Sequence, residues 1–273
     1  MTRSKGRPLR PELLRIDGRA GRGVHLLLSA LAFGAVLAAW ALTTAVGSVP
    51  DIYLPSIGAV AGALRDAAAD GTLAGDLGIS LTRILVAFAL AAVVAVPLGL
   101  LAGRIRLADA LITPLAEFAR YLPVVAFVPL TIIWAGTEES QKYLVIWIGT
   151  FFPLLLMVID DVRRVGADLV DFGRTLGMTD GRILRRIVMR GALPGIVDSL
   201  RISLGWCWTW LVVGELVAAT SGLGYRITIG QRYLETELIF AYILVLGVVG
   251  LLSDQALRLL HRTLFPYLRE SGR

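Results

Sequence analysis

Arg83, Glu117, Arg120, Asp198, Arg201 and Glu215 are ionisable side chains set inside stretches that are otherwise apolar. In a membrane each such charge costs about 2.5–3.5 kcal/mol at a helix centre, so each must pair or face water. Their chemistry is therefore ion pairing, or guidance of a polar solute, rather than turnover. Nothing else in the chain supplies a catalyst. His25 and His261 stand at opposite ends, and no His, Cys, Asp or Glu cluster has metal-ligand spacing. No nucleophile elbow of the Gly-x-Ser-x-Gly type occurs. The only lysines are Lys5 and Lys142, preceded by Ser4 and Gln141, so the chain holds no P-loop. Cys207 is the only cysteine, which excludes an internal disulfide and suits a small residue packed between helices. No catalytic residue, metal site or cofactor site is expected.

The elements that position those charges are membrane spans. The chain has 273 residues, 56% of them hydrophobic, with a mean hydropathy of +0.72. Stretches near 25–46, 77–102, 111–135, 143–159, 194–219 and 238–260 are each apolar enough to cross a bilayer. The expected fold is an all-α membrane protein with six transmembrane helices. A basic tail (1–23) precedes a transmembrane domain (24–273). The run 25–46 is too long for a signal-peptide core and reads as an uncleaved first span.

Basic residues set the orientation. They crowd the tail, the 104–106 turn, the 163–190 segment and the C-terminus, whereas the intervening loops carry only Arg65, Lys142, Arg226 and Arg232. The positive-inside rule places both termini and the long loop in the cytoplasm. The net charge of +6 is then a topology signal, and its spread over four loops argues against nucleic acid as a partner.

With spans assigned, depth suggests partners. Arg83 and Glu215 lie at similar depth near the outer ends of spans two and five, and are expected to pair. Glu117, Arg120, Asp198 and Arg201 share a level near the inner side and are expected to form a network. Trp208 stands midway between Arg201 and Glu215 at seven-residue spacing, so it is placed toward the interior with the charges. Ala87, Ala91, Ala95, Gly99 and Gly103 form a small-residue stripe that permits close helix approach. Pro114, Pro123 and Pro129 interrupt the third span, which favours a segment lining a cavity or acting as a gate, with a plain packed kink as the alternative.

The 166–195 segment reads GADLVDFGRTLGMTDGRILRRIVMRGALPG. Leu169, Phe172 and Leu176 have helical spacing, Gly177 can end that helix in the left-handed region, and Thr179 or Asp180 can cap the next. Ile183, Leu184, Ile187 and Val188 then form an apolar stripe beside Arg182, Arg185, Arg186 and Arg190, and Pro194 opens span five. A surface helix held by anionic lipid accounts for the basic half alone.

This loop resembles the signature of permease subunits of bacterial ABC importers: Glu-Ala-Ala, three residues, Gly, nine residues, Ile-x-Leu-Pro. Asp171, Phe172 and Gly173 stand at the Glu-Ala-Ala positions, Gly177 at the Gly, and Ile187, Met189 and Arg190 at Ile, Leu and Pro. The stretches LPSIGAV, SLTRILVAFALAAVVAVPLGLLAG and GWCWTWLVVGELVAATSGLGYRI are similar to the nitrate/sulfonate/taurine/bicarbonate group of these permeases. The resemblance covers nearly everything after Val49.

It implies the type I importer permease fold, with a cytoplasmic coupling helix in the loop at about 166–193. The implied coupling residues are Asp171, Phe172, Gly173, Leu176, Gly177, Met178 and Thr179. The implied partners are two ATP-binding subunits, which would hold the ATP and Mg, an extracytoplasmic substrate-binding protein, and a second permease copy. The implied location is the bacterial inner membrane, and the implied cargo a small anion or zwitterion such as nitrate, sulfonate, taurine or bicarbonate. The alternatives are a self-sufficient channel or secondary transporter, which gives the loop no role, and a membrane anchor, which leaves the charges within the spans unexplained.

Overall fold

The structure, a computed structural model, describes residues 22–269. Residues 1–21 of the basic tail, and 270–273, lie outside the described residues. All regular structure among those described is helical: α1 (Arg22–Ala45), α2 (Ile57–Ala69), α3 (Thr72–Ala102), α4 (Arg106–Ala119), α5 (Val124–Ala135), α6 (Glu139–Arg163), α7 (Ala167–Thr175), α8 (Asp180–Ile183), a π-helical turn (Leu184–Val188), α9 (Met189–Ala218), α10 (Leu223–Tyr233), α11 (Thr236–Leu264) and a 3₁₀ turn (Pro266–Arg269). Two compact units divide at Ala59/Val60.

The first unit contains α1, which is apolar around its whole circumference, as suits a span facing lipid. Beyond α1 its chain is fastened by the Trp40 indole, whose Nε1 donates to the Pro55 carbonyl at 2.9 Å.

The second unit is organised around α3, α6 and α9. The small-residue stripe of α3 forms the seam with α6. Ala87, Ala91 and Ala95 are fully buried. A Cβ added at Gly99 would lie 2.5 Å from Val158 Cγ1, and one at Gly103 2.5 Å from Val162 Cγ1. The two backbones therefore approach as closely as glycine permits. Leu154, Leu155, Val158, Ile159 and Val162 of α6 then meet Ile183, Val188, Ala192 and Ile196 of the α8–α9 segment in one buried cluster. Arg104, just past α3, ties the same seam at its end, its Nη2 donating to the carbonyls of Val162, at 2.9 Å, and Val165. Burial holds the Arg104 pKa below its ordinary value.

Two expectations need correction. The third span is not one helix. It is α4 and α5, bent by 101° at a short break. The chain leaves the helix at Arg120–Leu122 because Pro123 disfavours helical backbone at the residue before it and brings no N–H of its own. Pro114 and Pro129, by contrast, are carried inside α4 and α5. Likewise Pro194 does not open span five. Helix runs from Asp180 to Ala218, with Pro194 inside it and the π-helical turn upstream. The basic amphipathic segment and the span are thus one rod. Two shorter helices, α2 and α10, occupy stretches that the span pattern leaves as loops.

Among the described residues five helices are long and apolar enough to cross a membrane, or six when the bent pair counts as one.

Candidate pathway and coupling sites

A buried polar hub joins α3, α6, α9, α10 and α11. At its centre Arg83 is 1% exposed. Its Nη1 donates to Glu215 Oε1 at 2.8 Å and to the Ser221 carbonyl at 2.7 Å. Its Nε and Nη2 form a two-pronged pair with Glu139 at 2.7 and 2.5 Å. Planar guanidinium geometry suits this division of its donors between two carboxylates.

The same hub supplies the N-terminus of α10 with acceptors. Gly222 N donates to Asp76 Oδ1 (2.9 Å), Leu223 N to Ser80 Oγ (2.9 Å) and Gly224 N to Glu215 Oε2 (2.7 Å). Backbone donors that a helix start leaves unmet are thereby satisfied from two other helices. Ser80 Oγ in turn donates to Glu215 Oε1 at 2.7 Å. Asp76 Oδ2 also accepts from Arg226 Nε (2.9 Å) and the Tyr242 hydroxyl (3.2 Å), which brings in α11. Burial works against the Arg226 charge, but Asp76 outweighs it and holds that pKa above its ordinary value.

The four-charge inner network is not formed. Glu117 and Arg120 share no ion pair with Asp198 or Arg201, and the residues have different neighbours. Glu117 and Arg120 are exposed on α4 and its end, and Arg120 Nη2 donates to the Tyr121 hydroxyl at 2.8 Å. Asp198 and Arg201 face α11 instead. Arg201 Nε lies 3.5 Å from Asp254 Oδ1, and His261 Nε2 lies 3.7 Å from Asp198 Oδ2. Trp208 is buried, with its ring 3.7 Å from where a Cβ on Gly250 of α11 would stand, while Trp206 is exposed.

At the α4–α5 bend a cavity of about 600 Å³ opens between the break, α6 and α9. Its walls are aromatic and aliphatic, with Arg120 at the bend.

The segment after α6 has the form of a short docking helix. α7 closes through Gly177, whose φ is +69°. Gly177 N donates to Arg174 O (2.9 Å) and Met178 N to Gly173 O (3.1 Å), the paired bonds of a Schellman turn. Thr179 occupies the N-cap position of α8, with extended backbone and no side-chain cap bond. Leu169, Phe172 and Leu176 form an exposed apolar face, whereas Gly173, which borders that face, is buried. A Cβ at Gly173 would lie 2.6 Å from Ile187 Cδ1. The missing side chain lets α7 pack against the π-helical turn. Asp171 is exposed and bound to Arg174 at 3.0 Å, and Met178 joins the core beneath.

Residues 95–266 match the family of binding-protein-dependent transport system inner membrane components. The chain belongs to this family. The permease is 36% identical over 244 residues to a probable ABC transporter permease protein of Brucella melitensis, covering 89% of this chain and 96% of the relative. It is 33% identical over 232 residues to a putative aliphatic sulfonates transport permease protein of Bacillus subtilis, covering 85% and 84%. Among solved structures, the inward-facing MetNI methionine ABC transporter superposes with a TM-score of 0.61 at 21% identity, over 70% of this chain and 94% of the other.

The permease therefore has the type I importer fold and is a multi-pass inner-membrane subunit of an ABC importer, similar to relatives named for the transport of aliphatic sulfonates, taurine and bicarbonate. It is a transport subunit and not an enzyme; ATP hydrolysis belongs to a separate subunit. Sequence reasoning missed Asp76, Ser80, Glu139 and Gly222 in the hub of this permease. Glu139 falls just before the predicted fourth span, and Gly222 looks like an ordinary loop glycine.

Proposed function

We propose that the permease lines the path of a small polar nutrient, an anion or zwitterion such as nitrate, a sulfonate, taurine or bicarbonate, and that α7 transmits the stroke of two ATP-binding subunits. ATP and Mg are held by those subunits. Two copies of the permease pair, an extracytoplasmic binding protein delivers the cargo, and both termini and α7 lie on the cytoplasmic side, where the basic residues concentrate.

One observation carries the coupling role. The apolar face of Leu169, Phe172 and Leu176 is exposed, while the helix bearing it is packed through Gly173 against the π-helical turn. That turn continues without interruption into α9. A load applied to Phe172 therefore reaches a transmembrane rod directly. An exposed apolar face of this kind suits a protein partner. Arg83, Glu215 and the hub hold the far end of the same rod, so they serve the pathway by fixing α9 rather than by touching cargo. Asp198, Arg201 and Trp208 likewise hold α9 against α11, Glu117 stands exposed on α4, and Arg120 faces the cavity.

The test is co-purification. Phe172→Asp, co-expressed with the P-loop ATPase encoded nearest to the permease, should retain expression and lose the ATPase. Full capture of the ATPase by this variant would remove α7 as the docking element.

A further inference from the structure

The helix α7 hangs on α6 by a short link, and that link is gripped from two sides. α6 ends at Arg163, Arg164 caps it, and only Val165 and Gly166 separate the cap from α7. Two residues outside regular helix form a joint that can swivel, so a load on α7 could turn the joint instead of moving the helices behind it. On one side the joint rests on α9. Val165 is buried, with its methyl groups 3.2 Å from where a Cβ on Gly191 would stand. On the other side stands Arg104, in the turn between α3 and α4. Its Nη2 donates to the Val162 carbonyl at 2.9 Å and to the Val165 carbonyl, 58 and 61 positions away. One carbonyl belongs to the last turn of α6 and the other to the link. Arg104 thus fixes the direction in which the chain leaves α6.

A guanidinium is a costly way to satisfy two carbonyls. Among the described residues no carboxylate pairs with Arg104, and its Nε is buried without a partner. Its counter-charge is the carbonyl end of α6. A neutral amide could cap a helix end without burying a charge. The guanidinium adds reach and a charge-strengthened bond between elements that the chain does not connect locally. Close by, Arg163 Nη2 donates to Asp109 Oδ1 of α4 at 2.5 Å, and Thr113 Oγ1 donates to the same oxygen at 2.5 Å. That ion pair is 44% and 40% exposed, so alone it holds weakly and Arg104 is the main strut. α4 has 14 residues, which makes it a lever roughly 20 Å long at about 1.5 Å per residue. It ends at the 101° bend and the cavity there.

We infer that Arg104 is a positioning residue for coupling: it clamps the α6–α7 joint to the α3–α4 turn, so a load on α7 also swings α4 and reshapes the cavity at the α4–α5 bend. The inference rests on the coupling role of α7 and adds a second route beside the α9 rod. Without the clamp, α7 would still hold the ATPase and still push α9 through Gly173, but the bend would not follow.

The experiment uses the full-length permease with its captured P-loop ATPase in phosphatidylcholine nanodiscs. The response is the change in tryptophan emission on adding MgATP and orthovanadate. It is taken as the difference between wild type and Trp134→Phe, so that it reports on the bend, where Trp134 lines the cavity. Arg104→Gln should still capture the ATPase and trap nucleotide, while the response falls at least about fivefold, the lower range of coupling between distant sites. Asp109→Cys with Arg163→Cys, bridged by a short bis-methanethiosulfonate, should keep the full response, because the clamped ends do not part; Cys207 is buried and stays in place. The same bridge, formed in folded Arg104→Gln, should restore the response. A reagent added after folding does not mend a misfolded protein, so this rescue separates positioning from stability. An undiminished response in Arg104→Gln would overturn the inference. So would loss of the response on bridging the protein that retains Arg104, or a bridge that restores nothing in Arg104→Gln. If Arg104→Gln does not fold, bridging the protein that retains Arg104 still decides. Nucleotide trapped by a captured ATPase with no response in the wild type rejects the Arg104 route alone, whereas failure to capture the ATPase rejects the coupling role.

Discussion

Arg83 Nη1 lies 2.8 Å from Glu215 Oε1, with both side chains almost wholly buried. Two spans are joined there by a charge pair that neither could bury alone. Removing one partner strands the other, at a cost of about 3–5 kcal/mol. Arg83→Met and Glu215→Leu should therefore each lower thermal stability sharply in detergent, read by fluorescence-detected size exclusion. Exchanging the two charges should not repair the damage. Glu215 also accepts from Ser80 and Gly224, and Arg83 also donates to Glu139. An arginine at 215 would face donors and a glutamate at 83 would face Glu139. Recovery of wild-type stability in the double exchange would show that the pair acts in isolation from the hub.

Gly222 should tolerate no side chain. Its φ is +113°, and an added Cβ would lie 2.5 Å from Glu215 Oε1 and 2.7 Å from Arg83 Nη1. Backbone strain and overpacking together predict a loss of about 2–4 kcal/mol for Gly222→Ala. Gly75→Ala on α3, where nothing lies within 4 Å, is the control. It should be neutral or stabilising by up to about 1 kcal/mol. Equal melting temperatures for the two variants would remove the steric argument.

The α3–α6 seam offers a coupled test. Gly99→Ala places a Cβ 2.5 Å from Val158 Cγ1 and should cost about 1–3 kcal/mol. Val158→Ala opens the space that this methyl would enter. The double variant should be more stable than the sum of the two losses by about 1 kcal/mol or more. Strict additivity would mean that the helices separate rather than interlock.

Gly177 and Gly173 should fail for different reasons. Gly177 has open space around its Cα but a left-handed backbone. Gly177→Val should impair transport and ATPase capture, whereas Gly177→Asn, which tolerates that backbone, should stay close to wild type. Gly173 has ordinary helical backbone but no room, because Ile187 occupies the space. Gly173→Ala should be rescued by Ile187→Val. A measurement of nutrient uptake together with ATPase co-purification separates the two. Asparagine failing as badly as valine at 177 would contradict the turn argument.

How much of this was legible from the chain can be judged residue by residue. The stripe from Ala87 to Gly103, the turn at Gly177 and the charges at Arg83 and Glu215 stand out because helical period and glycine chemistry are local properties. Depth also follows from counting along a span. Rotation about the helix axis and the identity of the neighbour do not. Counting along the spans puts Glu117 and Arg120 at one expected level with Asp198 and Arg201, yet the latter pair faces Asp254 and His261 of α11. Gly173 reads in sequence as a departure from a docking motif, and in the structure it is the contact that packs α7 against the π-helical turn.

Composition alone dictated an all-helical membrane chain without an ATPase of its own, because hydropathy, loop charge and the missing P-loop need no partner to be read. Tertiary structure decided which charges meet, where the third span breaks open a cavity, and that span five is one rod from Asp180 to Ala218. Those outcomes depend on which faces are brought together across stretches far apart in the chain. Arg83 needs Glu215, 132 positions away, to be buried at all.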